Sequence, residues 1–439
     1  MKVYSIFLLL FLSSFISSSQ EIDPSGYNFE ADTTAEGIVA LYHSNGQVAE
    51  KGKIVEGKRE GEWLYYRKDG TLEKNIAYKD GKKNGVEALY DPNGVPISGS
   101  QYKDGVLEGR YEEYYENFQI ALVGYFSNGK KDSIWTEYYP NGNVSYRKSY
   151  ENGNLHGKST FYFQWGAESA IERYEYGIEE GEWVIYHANG KMQKKFHWKD
   201  GLLSGAYFEY HSNGKESVRG KYQLDQKTGK WLSFFEDGTL YSIGDYKNDL
   251  KTGFWKYFMS SGPISEEGEY QNGLKVGQWI YYYKNGKPAQ IGSFLADQKD
   301  GLWGLLYPND QLKQEQDWQK GRLWNVTAFY TIKGKELNPG TLKDGTGSYI
   351  EYYPEGEVKL EKYYSNGLED GLIKAFYING KTEYKGTMDD GFKTGNWVYY
   401  HSTGKIAETG NYENDQKTGL WKIYDKRGRL IDRVEFEIR

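Results

Sequence analysis

Hydrophobic positions along this chain recur in a frame of 24 residues rather than in a helical rhythm. Counted from Gly181, the frame has Trp183 at position 3, Tyr186 at 6, Asn189-Gly190 at 9 and 10, Trp198 at 18 and Gly201 at 21. Position 1 falls at Gly37, Gly61, Gly85, Gly109, Ser133, Gly157, Gly181, Gly205, Gly229, Gly253, Gly277, Gly301 and Asn325. One unit is two residues short, and the phase resumes at Gly347, Gly371, Gly395 and Gly419, which makes 17 units. Position 6 is Tyr or Phe in every unit except that of Leu306, and nine of the 13 Trp residues stand at position 3. A fixed period of this size marks an array of small units that stack on their neighbours.

Each unit reads as a β-hairpin. Positions 2 to 7 are rich in residues suited to a pleated surface, and Asn-Gly at 9 and 10 predicts a type I′ turn, which needs positive φ at both central residues. Positions 11 to 18 form the return strand, and positions 19 to 24 a six-residue connection to the next hairpin. At position 21 most units have Gly, but four have Asp225, Asp249, Asp297 or Asp415. Both residue types suit a turn; a calcium site is the sharper alternative for the Asp loops, although each offers few ligands. With a two-residue turn, facing positions sum to 19. Trp231, Trp255, Trp279 and Trp397 then pair with Gly244, Gly268, Gly292 and Gly410, each ring covering a bare strand glycine. A lone hairpin is marginal in water, so neighbours must pair edge to edge. The expected fold is all-β: an elongated, single-layer, twisted antiparallel sheet of tandem hairpins.

The organisation follows from the frame. Residues 1–19 read as a secretory signal, with Lys2, an apolar run and Ser17-Ser18-Ser19; the alternative is an uncleaved anchor. Residues 20–36 form a polar leader or N-terminal cap, and 37–324 hold 12 units. Residues 325–346 form a divergent, shortened unit containing Pro339, read either as a kink or as drift in a tolerant connector. Residues 347–439 hold four units, ending in a charged, alternating strand that blunts an exposed edge. Two further breaks are Asn117-Phe118 and Asn309-Asp310, where Asn-Gly belongs.

The run Gly-x-Trp-x-x-Tyr-x-x-Asn-Gly, followed by Tyr-x-x-Gly-x-x-x-Gly, resembles the bacterial variant of the MORN repeat. Residues 270–279 show that core, from Tyr270 to Trp279. The likeness covers residues 37–439. It implies consecutive antiparallel hairpins and a scaffold that binds proteins or phospholipid, with no catalytic residue to carry over. Some relatives bear an antitoxin label, which an export signal fits poorly.

Composition narrows the chemistry. Aromatics reach 17%, unlike a disordered chain, and a net charge of -7 without a basic stripe argues against nucleic acid as a partner. With no Cys, disulfides, thiolate metal sites and cysteine nucleophiles are excluded together. His43, His187, His211 and His401 all occupy position 7, where other units have Tyr or Phe, and read as repeat variants. No catalytic, cofactor-binding or metal-binding residue emerges, and no cofactor is expected. The expected role is an exported, non-enzymatic scaffold without a transmembrane segment once the signal is removed. Its partner is a protein, with a glycan or phospholipid as alternatives. The candidate contact residues are the aromatics Tyr186, Tyr210, Phe234, Phe258 and Tyr282 at position 6, and Trp183, Trp231, Trp255 and Trp279 at position 3.

Overall fold

A computed structural model describes residues 37–437; the signal segment and leader read from the sequence lie outside the described residues. The described residues contain strands and turns and no helix. The chain divides into two compact units, Met1–Ala167 and Glu168–Arg439, and the division falls inside the sixth repeat. In each, successive strands pair antiparallel with the strands before and after them, as Leu202–Tyr210 does with Met192–Lys199 and Glu216–Gln223.

The type I′ turn does not lie at positions 9 and 10, where the sequence reading placed it. At positions 7 to 10, Gly190 N–H donates to the His187 carbonyl and His187 N–H to the Lys191 carbonyl, which closes a three-residue loop. Only the glycine has positive φ, 80° at Gly190, so Asn-Gly here makes a type I turn ending in a left-handed glycine. The type I′ turn lies between units. Lys199 pairs with Leu202, leaving Asp200-Gly201 as a two-residue loop with φ of 52° and 75°. The six-residue connection therefore shrinks to two residues, and strands run through the rest of it.

The expected register survives for a reason the sequence did not disclose. A three-residue loop pairs Tyr186 with Met192, one short of the sum-19 rule, but Gln193 bulges out and Ile185 then faces Lys194. Loop and bulge cancel. Trp231 accordingly pairs with Gly244, Trp255 with Gly268, Trp279 with Gly292 and Trp397 with Gly410.

The rings nevertheless go the other way. The Trp255 indole lies over Gly244, in the return strand of the preceding unit, so closely that a Cβ there would stand 2.1 Å from the ring. The same contact joins Gly52 to Trp63, Gly124 to Trp135, Gly220 to Trp231, Gly268 to Trp279, Gly292 to Trp303, Gly386 to Trp397 and Gly410 to Trp421. A second bulge makes room. Ile243 pairs with Lys256 and Asp245 with Thr252, so the incoming strand carries two extra residues opposite Gly244. Position 1 lies in that bulge, with φ of 59–77° in every unit that has a Trp and 85–133° in the other units that have Gly there. The narrower range is the left-handed region open to an L-residue, and Ser133 occupies it at 60°.

The divergent stretch interrupts the ladder inside the second unit. Arg322–Val326 is followed by a two-stranded piece, Phe329–Tyr330 with Glu336–Leu337, and regular pairing resumes at Gly347–Tyr352. A buried polar network holds this place. Tyr349 Oη donates to Gln314 Oε1 at 2.9 Å, Gln316 Nε2 reaches both, and Trp318 Nε1 donates to Gln316 Oε1. Gln314 is wholly buried, and its Nε2 donates to the Thr327 carbonyl. Fully partnered groups of this kind specify one arrangement where a hydrophobic patch would tolerate several.

Candidate binding surface

One face of the hairpins is consumed by internal packing. Eight position-3 tryptophans are 0–4% exposed. Each lies over the preceding glycine and meets neighbouring position-18 rings, mostly edge to face. Trp255 stands 5.2 Å from Tyr246 and 5.9 Å from Tyr270, and Trp279 5.1 Å from Tyr270. A cation four residues earlier covers the ring: Arg59, Lys131, Lys227, Lys251, Lys275, Lys299, Lys393 or Lys417, at 3.8–4.6 Å from the centroid. Burial lowers the pKa of Lys251 and Lys299, where the ammonium sits among rings. The recurrence of a cation four residues before Trp is visible in the sequence, as a signal of this packing that the aromatic spacing alone does not carry.

This packing removes Trp231, Trp255 and Trp279 from the candidate surface, because no ring face is left for a partner. Trp183 differs. Glu172 replaces the glycine and Glu179 the cation, so the ring has neither its seat nor its cover and stays half-buried beside Tyr174, Phe196 and Trp198.

The position-6 candidates Tyr186, Tyr210, Phe234, Phe258 and Tyr282 are half-buried and, by strand alternation, lie on the opposite face. There Arg219 covers Phe234 at 5.5 Å, and Tyr282 Oη donates to Glu267 at 2.6 Å. Burial and that carboxylate push the Tyr282 phenol up to about 12. Burial opposes the charge on Glu267, but Tyr282 and Lys256 outweigh it and hold the carboxyl below its ordinary value. The sequence reading missed position 2 of this face, where Ile38, Val86, Ile134, Phe254, Leu302, Leu372 and Leu420 are 45–86% exposed. Alternation with Glu62, Arg110, Lys230, Gln278 and Asn396 keeps them from forming one apolar stripe.

The histidines and turn residues tie repeat to repeat. His43, His187, His211 and His401 each place Nε2 2.7–3.0 Å from the position-6 carbonyl of the next unit, so that nitrogen carries the proton. Tyr115, Tyr139, Tyr283 and Tyr377 make the same bond through Oη. Asn189 accepts from Lys191 N–H and donates to the Ser212 carbonyl 23 residues on. The Asp residues at position 21 also act between units: Asp249 N–H donates to the Lys227 carbonyl, and its Oδ1 accepts from Lys227 N–H.

The sequence model of the MORN repeat variant matches residues 131–152, 179–200, 227–248, 275–296, 346–366 and 393–414. The chain is a MORN-variant repeat protein. Four of the six matches to this MORN protein begin at the covering cation, Lys131, Lys227, Lys275 or Lys393, and every match ends at the first residue of the inter-unit turn. No curated protein matches the chain. Among solved structures, TcdB2-TccC3-TEV aligns at 11% identity over 90% of this chain and 23% of its own, with a TM-score of 0.15. TcdB2-TccC3 aligns at 11% over 91% and 29%, with a TM-score of 0.15. The Photorhabdus luminescens Tc holotoxin pore aligns at 11% over 94% and 28%, with a TM-score of 0.14. The MORN chain thus spans less than a third of these structures, and scores so low carry no structural argument.

Proposed function

We propose that this protein is an exported, non-enzymatic scaffold that binds a protein partner through the face opposite its tryptophans. One observation carries the reading. The tryptophan face is closed by its own glycines and cations, whereas position 2 of the other face keeps large apolar side chains exposed in both compact units. Large apolar side chains left exposed among charges can serve as contact residues for a protein partner. The test is affinity purification of the chain from the envelope fraction, compared with Leu372→Glu and Phe254→Glu variants. A saturable protein partner retained by the wild type and lost by the variants supports the reading; equal recovery by all three refutes it.

A glycan is the second reading, and one feature favours it. Phe163 and Trp165 stack with centroids 4.6 Å apart and planes 4° from parallel, and Trp165 is 59% exposed, a flat platform for a sugar ring. Oligosaccharide binding that quenches Trp fluorescence and is lost in Trp165→Ala would support it. Phospholipid contact rests on the family likeness alone, and liposome flotation without enrichment removes it.

A further inference from the structure

Between Arg173 and Asp317 the outward face is divided by charge. Its first half carries Arg173, Lys195, Arg219, Lys221 and Lys230 against Glu182; its second half carries Asp245, Glu267, Glu269, Glu315 and Asp317 against Lys256. All are strand residues of the second compact unit, at positions 2, 4, 15 and 17, which alternation places on one face. Pairing supports that placement. Lys230 pairs with Asp245 and Lys256 with Glu267, and Lys195 reaches Glu182 at 2.7 Å.

We infer that this stretch binds a second copy of the chain, face to face about a two-fold axis parallel to the strands. The inference deepens the scaffold reading and rests on it, since it names one occupant of the same face. With the axis at the strand Leu240–Lys247, counting strands outward brings the strand of Arg219 and Lys221 over that of Glu267 and Glu269. The same count brings the strand of Arg173 over that of Glu315 and Asp317. A two-fold interface needs a self-complementary patch; opposite predominant charge on the two sides of the axis meets that need at these outer strands, while next to the axis the strand of Lys230 falls over that of Lys256.

Shape agrees with charge. A shallow groove of about 260 Å³ in the basic half is lined by Glu182, Lys195, Phe196, His197, Gly205, Ala206 and Phe208. In the acidic half Leu302 is 62% exposed, and the same axis carries it over the strand Gly181–Tyr186, which borders that groove. At ~4.8 Å per strand and ~3.3 Å per residue, the patch covers about 1,000 Å² on each copy. That corresponds to about 2,000 Å² in total, the upper end of a standard stable interface.

The test uses the full chain and two charge-reversed variants, Arg173→Glu/Lys221→Glu and Glu269→Lys/Glu315→Lys, in sedimentation velocity at micromolar concentration. The wild type is expected to be a dimer at low salt and to loosen as salt screens the patches. Each variant alone is expected to be monomeric, and a one-to-one mixture to regain the dimer, because each reversal sets like charges opposite one another in its own dimer, whereas in the mixture Glu at 221 and 173 meets Lys at 269 and 315. Leu302→Asp, at an exposed site, is expected to weaken self-association at least tenfold. A monomeric wild type, a variant that dimerises like the wild type, or a mixture that stays monomeric overturns the inference. A monomer that still retains a saturable protein partner sinks self-association alone and leaves the scaffold reading standing.

Discussion

Replacing Gly268 by Ala tests the packing that joins one repeat to the next. The added Cβ would stand 2.3–2.5 Å from the Trp279 ring, so the indole has to lift. An aromatic side chain buries ~150–250 Å². At ~25 cal/mol per Å², exposing half of that costs about 2–3 kcal/mol. A strand glycine replaced by Ala otherwise gains ~0.5–1 kcal/mol, so the net expected loss is about 2 kcal/mol. Gly304 is the control, a strand glycine with ordinary φ and nothing within 4 Å of its Cβ position. Gly304→Ala is expected to be neutral or stabilising by about 0.5 kcal/mol. The assay is urea unfolding combined with hydrogen exchange of the amides of residues 264–306, because an array opens locally. A double-mutant cycle with Trp279→Val should show a coupling of ~1–3 kcal/mol, since without the ring the methyl has nothing to displace. Equal stability of the Gly268→Ala and Gly304→Ala variants, or additive single costs, would refute the reasoning.

Three further outcomes follow from the backbone and the polar contacts. Phe118 and Ser133 hold φ of 66° and 60° where most other units have Gly, so Phe118→Gly and Ser133→Gly should each raise unfolding stability by about 1 kcal/mol. No gain at either site would show that the left-handed backbone is not strained. His187→Phe should cost about 1 kcal/mol through the lost bond to the Tyr210 carbonyl, while His187→Tyr should cost little; equal losses for the two would sink that role. Tyr222, Tyr282 and Tyr412 are raised to about 12, so their contribution is fully present below pH ~10 and is lost as pH rises to about 12. Phenolate absorbance should therefore develop late and together with loss of the sheet signal; ionisation complete near pH 10 in folded protein would contradict it.

The hairpins, their period and the backbone pairs were legible because aromatic spacing and Asn-Gly are local signals. Turn geometry was not. Asn-Gly occurs at positions 9–10 and again at 20–21, and the two places fold differently because only the first is followed by a compensating bulge. The seat of the tryptophan was hidden for a related reason: the paired glycine and the covered glycine are chemically identical and stand on either side of the same ring. Co-occurrence could have separated them. Ile76, Ser100, Lys148 and Phe196 at position 16 are each followed by a unit without Trp at position 3, whereas all eight glycines are followed by one with it. The outward surface was the least legible part, because exposed side chains leave no imprint on the period.

Because each ring rests on the unit before it, the spacing from glycine to tryptophan is 11 residues wherever the contact occurs. Excising residues 229–252 would bring Trp255 to the same distance from Gly220, and inserting a copied unit would preserve it equally well. Array length is thereby free to change in whole steps without redesigning any joint, so genetic duplication and loss can adjust reach while the joining chemistry stays as it is.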